Sequence, residues 1–140
     1  MDTVSPAQRS RVMANVKGRD TRPERALRSL LFRHGFRFRL YQAGLPGKPD
    51  IVLPRYKTII FVHGCFWHRH PGCKRASMPA SNAAYWGRKF ERTVARDATN
   101  KRILEHMGWR VIIVWECELR SLEREFDAFA AMIRRPVAAL

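Results

Sequence analysis

Cys65, His70, Cys73 and Cys117 fall into a Cys-x4-His-x2-Cys-x43-Cys series. Three thiolates and one imidazole suit the tetrahedral preference of Zn2+, and a site filled entirely by protein donors would be structural rather than catalytic. The competing reading is three buried thiols and a surface histidine. A second set is interleaved with the first. Asp50 follows Pro49 at the start of an apolar run, where its carboxylate could hold Mg2+, with the backbone carbonyl of Val62 as a second oxygen ligand. His63 and His68 add groups that titrate near neutral pH. A cation on a phosphate, a histidine taking a proton from water and a second histidine or a cation facing the leaving oxygen together describe phosphodiester hydrolysis.

Further residues bear on that chemistry. Asp97 shares a helical stripe with Trp86, Phe90, Val94 and Leu104. An inward carboxylate is costly unless paired, so a histidine, an arginine or a metal-bound water is its expected partner, the histidine first and an ion pair to one of the many arginines the plain alternative. Glu24 completes a capping box with Thr21 yet also shares the inward face of Leu27 and Leu31. Phe66 and Trp67 are adjacent, so at least one is expected to be exposed. On a basic protein such aromatics can wedge between DNA base steps, with Trp86 joining them, or they can form a local core around the metal loop.

The elements that must position these groups follow from periodicity. Ser5 to Lys17 reads as a short basic helix, and residues 1–18 as a basic arm able to meet DNA. A second helix begins at Thr21 and stops at Gly35; Phe36 to Leu40 then alternates as a strand does. Asp50 to Leu53 and Thr58 to Val62 form an antiparallel hairpin across Pro54 to Lys57. If its centre lies between Arg55 and Tyr56, Asp50 falls opposite Phe61 and beside Val62. Asn82 to Met107 is a long helix ended by Gly108. Arg110 to Trp115 is a fully buried strand, placing Cys117 at the end of a central strand, and Leu122, Phe126, Phe129 and Ile133 mark one closing amphipathic helix. This order predicts a single α/β domain over residues 1–140, with three layers in which a central mixed sheet lies between helices.

Composition sets the partner class. Lys and Arg number 27 against 12 Asp and Glu, giving +15, while 46% of the 140 residues are hydrophobic and four are Trp. That excess points to a polyanion, nucleic acid first, and the apolar content excludes a merely solvated tail. Residues 1–6 carry no signal-peptide core and no run approaches the roughly 18 apolar residues of a membrane span. A cytoplasmic protein with no membrane partner is therefore expected, and three cysteines in reducing surroundings favour thiols or metal ligands over disulfides.

Four segments taken together, Leu45-Pro46-Gly47-Lys48-Pro49-Asp50, Phe61 to His68, Gly108-Trp109-Arg110-Val111 and Val114-Trp115-Glu116-Cys117, resemble the very-short-patch repair (Vsr) endonucleases over nearly the whole chain. The resemblance implies a restriction-endonuclease-like fold and Mg2+-dependent nicking 5′ to the thymine of a T:G mismatch left by deamination of 5-methylcytosine. By position, it implies that Asp50 and the Val62 carbonyl bind Mg2+, that His68 is the general base oriented by Asp97, and that His63 and Glu24 support catalysis. It likewise implies that Cys65, His70, Cys73 and Cys117 bind Zn2+, and that Phe66, Trp67 and Trp86 insert into DNA. Double-stranded DNA carrying the mismatch, mismatch-repair proteins, a functional link to a DNA cytosine methyltransferase, action as a monomer and activity at the bacterial nucleoid complete the expectation. The metal loop departs from the family pattern at Arg69 and at Pro71-Gly72.

Two other functions fit parts of the same pattern. A restriction-type endonuclease would cut both strands of paired DNA. A zinc-stabilised DNA-binding protein without catalysis would need only the charge and the Cys₃His set, and would leave Asp50 and Asp97 unexplained.

Overall fold

The computed structural model describes residues 20–137, so the expected helix from Ser5 to Lys17 and the arm over residues 1–18 lie outside the described residues. Elements are numbered from the first described one. Helix α1 (Arg22–Arg33) starts where the Thr21 hydroxyl accepts the Glu24 N–H at 3.4 Å, with Pro23 in its first turn, where no intrahelical donor is needed. Glu24 does not reach back to Thr21, as a capping box would require. Its carboxylate instead accepts the Asp20 N–H at 2.9 Å, one residue further out.

The chain leaves α1 through Gly35 at φ +89°, and the Phe36 N–H closes on the Leu31 carbonyl at 3.0 Å. That bond takes Phe36 into the helix terminus, which corrects the strand expected from Phe36 to Leu40. Only β1 (Arg39–Leu40) pairs with the sheet. Strands β2 (Ile51–Leu53) and β3 (Thr58–His63) form the hairpin, joined by a 3-10 turn over Pro54–Tyr56 and by Lys57 in the left-handed conformation. Ile51 faces Ile60 and Leu53 faces Thr58, so the same register continued by one residue sets Asp50 opposite Phe61, as expected.

Helix α2 (Ala83–His106) then crosses to β4 (Arg110–Trp115), which pairs parallel with β3 from Thr58↔Arg110 to His63↔Trp115. The sheet order is β1-β2-β3-β4. Among the described residues β4 is an edge strand, with only Val114 buried along it, which corrects the fully buried central strand expected from its apolar run. The closing helix is also two pieces, α3 (Leu119–Arg124) and α4 (Phe126–Arg134), broken at Glu125. The break leaves Leu122 half-buried while Phe126, Phe129 and Ile133 enter the core.

Strand alternation divides the apolar residues between two faces. Ile51, Leu53, Ile60, Val62 and Val114 pack with Leu27 and Leu31 of α1 and with Phe126 and Ile133 of α4. Val52 and Ile59 pack on the other face with Leu104 of α2, Phe61 and Val111 lying against them. Helices thus cover both faces of a mixed sheet, the three-layer α/β arrangement expected. Val94 departs from its predicted stripe and is 45% exposed, because α2 outruns the small second core.

Candidate active site

The hairpin's open end gathers the titratable groups. Asp50 shares the strand face of Val52, and His63 that of Ile59 and Phe61, so both stand on the side covered by α2. Asp50 Oδ2 accepts the Val62 N–H at 2.7 Å, taking over the ladder where β2 has ended. After β3 the chain turns through Gly64 with His68 N–H bonded to the Gly64 carbonyl at 3.1 Å, folding His68 back over His63. The two imidazoles stack, centroids 3.8 Å apart and planes 8° from parallel. From α2, Asp97 Oδ2 meets His68 Nδ1 at 2.7 Å. Of the partners considered for Asp97, this is the histidine.

Asp50, Glu24, His63, His68, Asp97 and Glu116 line one cavity of about 510 Å³, with Phe66 and Trp67 in its wall and Asn100 and Lys101 contributed by α2. Burial pushes the Asp50 carboxyl up to about 7; the Val62 N–H opposes this, while the charge of Glu24 reinforces it. A buried carboxylate beside a second one, with hard oxygen donors and, among the described residues, no lysine or arginine bonded to it, fits a hard divalent cation. Burial, aided by His68, holds His63 down to about 4, so its ring is neutral at neutral pH, and its Nδ1 has no partner among the described residues. His63, His68 and Asp97 are near enough to share an ion. Stacked parallel rings, however, direct their in-plane lone pairs side by side rather than towards a common point, which suits proton chemistry better than shared coordination.

Glu24 is 3% exposed and its carboxylate is held by Asp20 N–H and by the Tyr41 hydroxyl. Tyr41 escaped the sequence reading because its contact is tertiary. Its one visible signal was its place directly after the β1 alternation.

The cysteine series also assembles. Donor atoms of Cys65, His70, Cys73 and Cys117 all lie within 4.8 Å of one another, with His70 Nδ1 3.6 Å from Cys65 Sγ and 3.3 Å from Cys117 Sγ. All three cysteines are free thiols. Burial pushes Cys65 up to about 12, whereas the Arg75 N–H draws Cys73 below the usual thiol value. A soft, cation-seeking donor set of this composition fits Zn2+. Glu116 and Trp115 were missed by sequence reasoning. Glu116 accepts the Cys65 N–H at 3.1 Å, and the Trp115 indole stacks on His70 at 4.3 Å while meeting His63 edge-on at 5.2 Å, so one side chain separates the two constellations.

Neither Phe66 nor Trp67 is fully exposed, contrary to expectation; both are half-buried. Phe66 packs edge-on against Trp67, Trp86 and Phe90, and Trp86 is buried. The altered loop has its own brace. The Arg69 guanidinium donates to the carbonyls of Phe66, Ala76 and Ser77 and lies 4.0 Å over the Phe90 ring, from a backbone at φ +55°.

Comparison with known proteins agrees with this architecture. The family model described as DNA mismatch endonuclease Vsr matches residues 1–75. The DNA mismatch endonuclease Vsr of Escherichia coli K12 is 44% identical over 126 residues, covering 90% of this chain and 80% of that protein. The type II nicking enzyme V.XorIIP of Xanthomonas oryzae pv. oryzae is 49% identical over 121 residues, covering 86% and 88%. V.NmeAIP of Neisseria meningitidis, also a type II nicking enzyme, is 43% identical over 120 residues, covering 86% and 85%. No helix among the described residues is long and apolar enough to cross a membrane.

Proposed function

The chain belongs to the Vsr family of DNA mismatch endonucleases, and on that premise we propose that it nicks double-stranded DNA 5′ to the thymine of a T:G mismatch, starting very short patch repair. The observation that carries this reading is the His68–Asp97 pair facing Asp50 across one cavity. With its Nδ1 engaged by Asp97, His68 presents Nε2 as the base that takes a proton from water. Asp97 fixes that tautomer and stabilises the imidazolium as it forms. His63, neutral and stacked beneath, offers a ring N–H to the departing 3′ oxygen. Glu24 supports the site as a second carboxylate beside Asp50.

The Asp50 carboxylate and the Val62 carbonyl would hold Mg2+. When bound, Mg2+ supplies positive charge that polarises the scissile phosphate and lowers the pKa of nearby water. Cys65, His70, Cys73 and Cys117 would hold Zn2+, tying the loop after β3 to the segment after β4 and so fixing where His68 stands. Phe66 and Trp67 insert beside the mismatch, and Trp86 joins them once their cluster opens onto DNA. The exposed Arg88, Arg92, Arg96 and Arg102 of α2 are available to the DNA backbone. Repair of deaminated 5-methylcytosine links this activity to a DNA cytosine methyltransferase and to mismatch-repair proteins, in the cytoplasm at the nucleoid, with the chain acting as a monomer.

The test is incubation with Mg2+ and duplexes that differ only in carrying T:G or T:A at one position. Nicking of the T:G duplex alone supports the reading. Double-strand cleavage of the paired duplex would replace it with a restriction-type activity, and binding without cleavage would replace it with a DNA-binding protein.

A further inference from the structure

Glu24 is held from two directions by residues whose backbones are both unusual. Asp20 and Tyr41 adopt φ +59° and +47°, a region that non-glycine residues visit at a cost and that tends to persist where surrounding structure demands it. The Asp20 N–H reaches both Glu24 Oε2 at 2.9 Å and the Tyr41 oxygen at 2.6 Å, while the Tyr41 hydroxyl donates to the same Oε2. Asp20 is itself fastened by α1, since Arg25 donates to its carbonyl at 2.8 Å and Arg28 pairs with its carboxylate. The pairing of β1 with β2 ends at Leu40↔Ile51, and Tyr41 and Asp50 flank that last pair on the same side. Tyr41 therefore leaves the sheet at the end where the candidate cation ligand stands, while its hydroxyl grips the carboxylate of Glu24.

We propose that Tyr41 is a positioning residue whose hydroxyl holds the Glu24 carboxylate beside Asp50 and thereby strengthens the site's grip on a divalent cation. A hydrogen bond from the phenol holds the carboxylate in a single rotamer, and two fixed anions attract a cation more strongly than one fixed and one wandering. The electrostatic influence of Glu24 on Asp50 is in keeping with that proximity. The inference rests on the reading of Asp50 and Glu24 given under Proposed function, and it adds a residue outside that set.

The experiment is a double-mutant cycle on the full chain, using Tyr41→Phe, Glu24→Gln and the double variant, with binding of Mn2+ alone read by electron paramagnetic resonance. Tyr41→Phe removes only the hydroxyl. It is expected to weaken Mn2+ binding by about threefold to tenfold in the wild-type background and to change it little once Glu24 is Gln, because the two act as a unit. An equal loss in both backgrounds would reveal a merely structural tyrosine and overturn the proposal, as would no loss in either. The rise in melting temperature on adding Mn2+ repeats the cycle as a second readout should one variant be less stable. Nicking of a T:G duplex by the same proteins separates the two levels of inference. A wild type that binds Mn2+ without nicking overturns the proposed function, while the Mn2+ cycle still decides the role of Tyr41.

Discussion

His68 Nδ1 lies 2.7 Å from Asp97 Oδ2 although 29 positions separate the two residues in the chain. One comes from the loop after β3 and the other from the middle of α2, so packing of that helix on the sheet sets the pair's geometry. His68→Ala is expected to slow single-turnover nicking by about 10²- to 10⁴-fold, the usual worth of a positioned base. Asp97→Asn keeps the shape but loses the preference for the productive tautomer, and should slow it by about tenfold or more. DNA affinity, measured by fluorescence anisotropy, should be nearly unchanged in both; a parallel loss of affinity would assign the pair to binding.

Asp50 gives a pH signature without DNA. Its carboxyl is raised from 3.8 to about 7 by burial, so the folded chain holds that proton to higher pH than the unfolded chain does. The stability it contributes is complete below about pH 4 and is lost as pH rises towards 7. Relative to Asp50→Asn, the metal-free wild type should therefore melt at progressively lower temperature between those limits. Mg2+ should raise the wild-type melting temperature more at pH 8 than at pH 5.5, since proton and cation compete for one carboxylate. A Mg2+ effect that is the same at both pH values, or equally present in Asp50→Asn, would remove Asp50 from the cation site.

The thiol cluster predicts one bound Zn2+ per chain, released with Cys65→Ala or Cys117→Ala and detectable by a chromogenic chelator. Because burial holds Cys65 as a thiol up to about 12, metal uptake must displace its proton, and zinc affinity should rise with pH. Loss of the ion is expected to lower the melting temperature by about 10 °C or more. Chelation with no change in melting would mean that the thiols merely pack.

Phe66→Ala and Trp67→Ala together should leave Zn2+ content intact while reducing the preference for T:G over T:A by about tenfold or more, the scale of lost stacking on a base. An unchanged preference would reduce the two rings to local core.

Gly47 ties the loop before Asp50 to α2. Its φ is +78°, and a Cβ there would stand 2.9 Å from Asn100 Nδ2. Gly47→Ala therefore combines backbone strain with a clash, and about 1–3 kcal/mol of lost stability is expected in urea titration, with weaker Mg2+ binding because Asp50 begins three residues later. Wild-type stability and Mg2+ affinity would show that the loop adapts.

Much of this site was legible because local rules carried it. The Asp50 to Val62 relationship follows from hairpin register alone, and the His70-x2-Cys73 spacing already brings two donors of the cluster together. What was hidden depended on tertiary competition. Phe36 to Leu40 alternates as a strand does, yet Phe36 is drawn into the end of α1, leaving β1 two residues long. The apolar run Arg110 to Trp115 reads the same whether its strand is central or, as here, an edge among the described residues. Glu24 satisfies the capping spacing but bonds to Asp20 and Tyr41, partners that no local pattern names. Arg69 looked like a departure from the family loop, and only the fold reveals the three carbonyls it ties together.

The most direct test labels both strands of a T:G duplex at their 5′ ends and maps the products formed with Mg2+ by wild type and by His68→Ala. A single nick immediately 5′ to the mismatched thymine, on that strand only and nearly abolished in His68→Ala, is the predicted result. Cleavage of the guanine strand, of both strands, or of equal extent in the variant would contradict it.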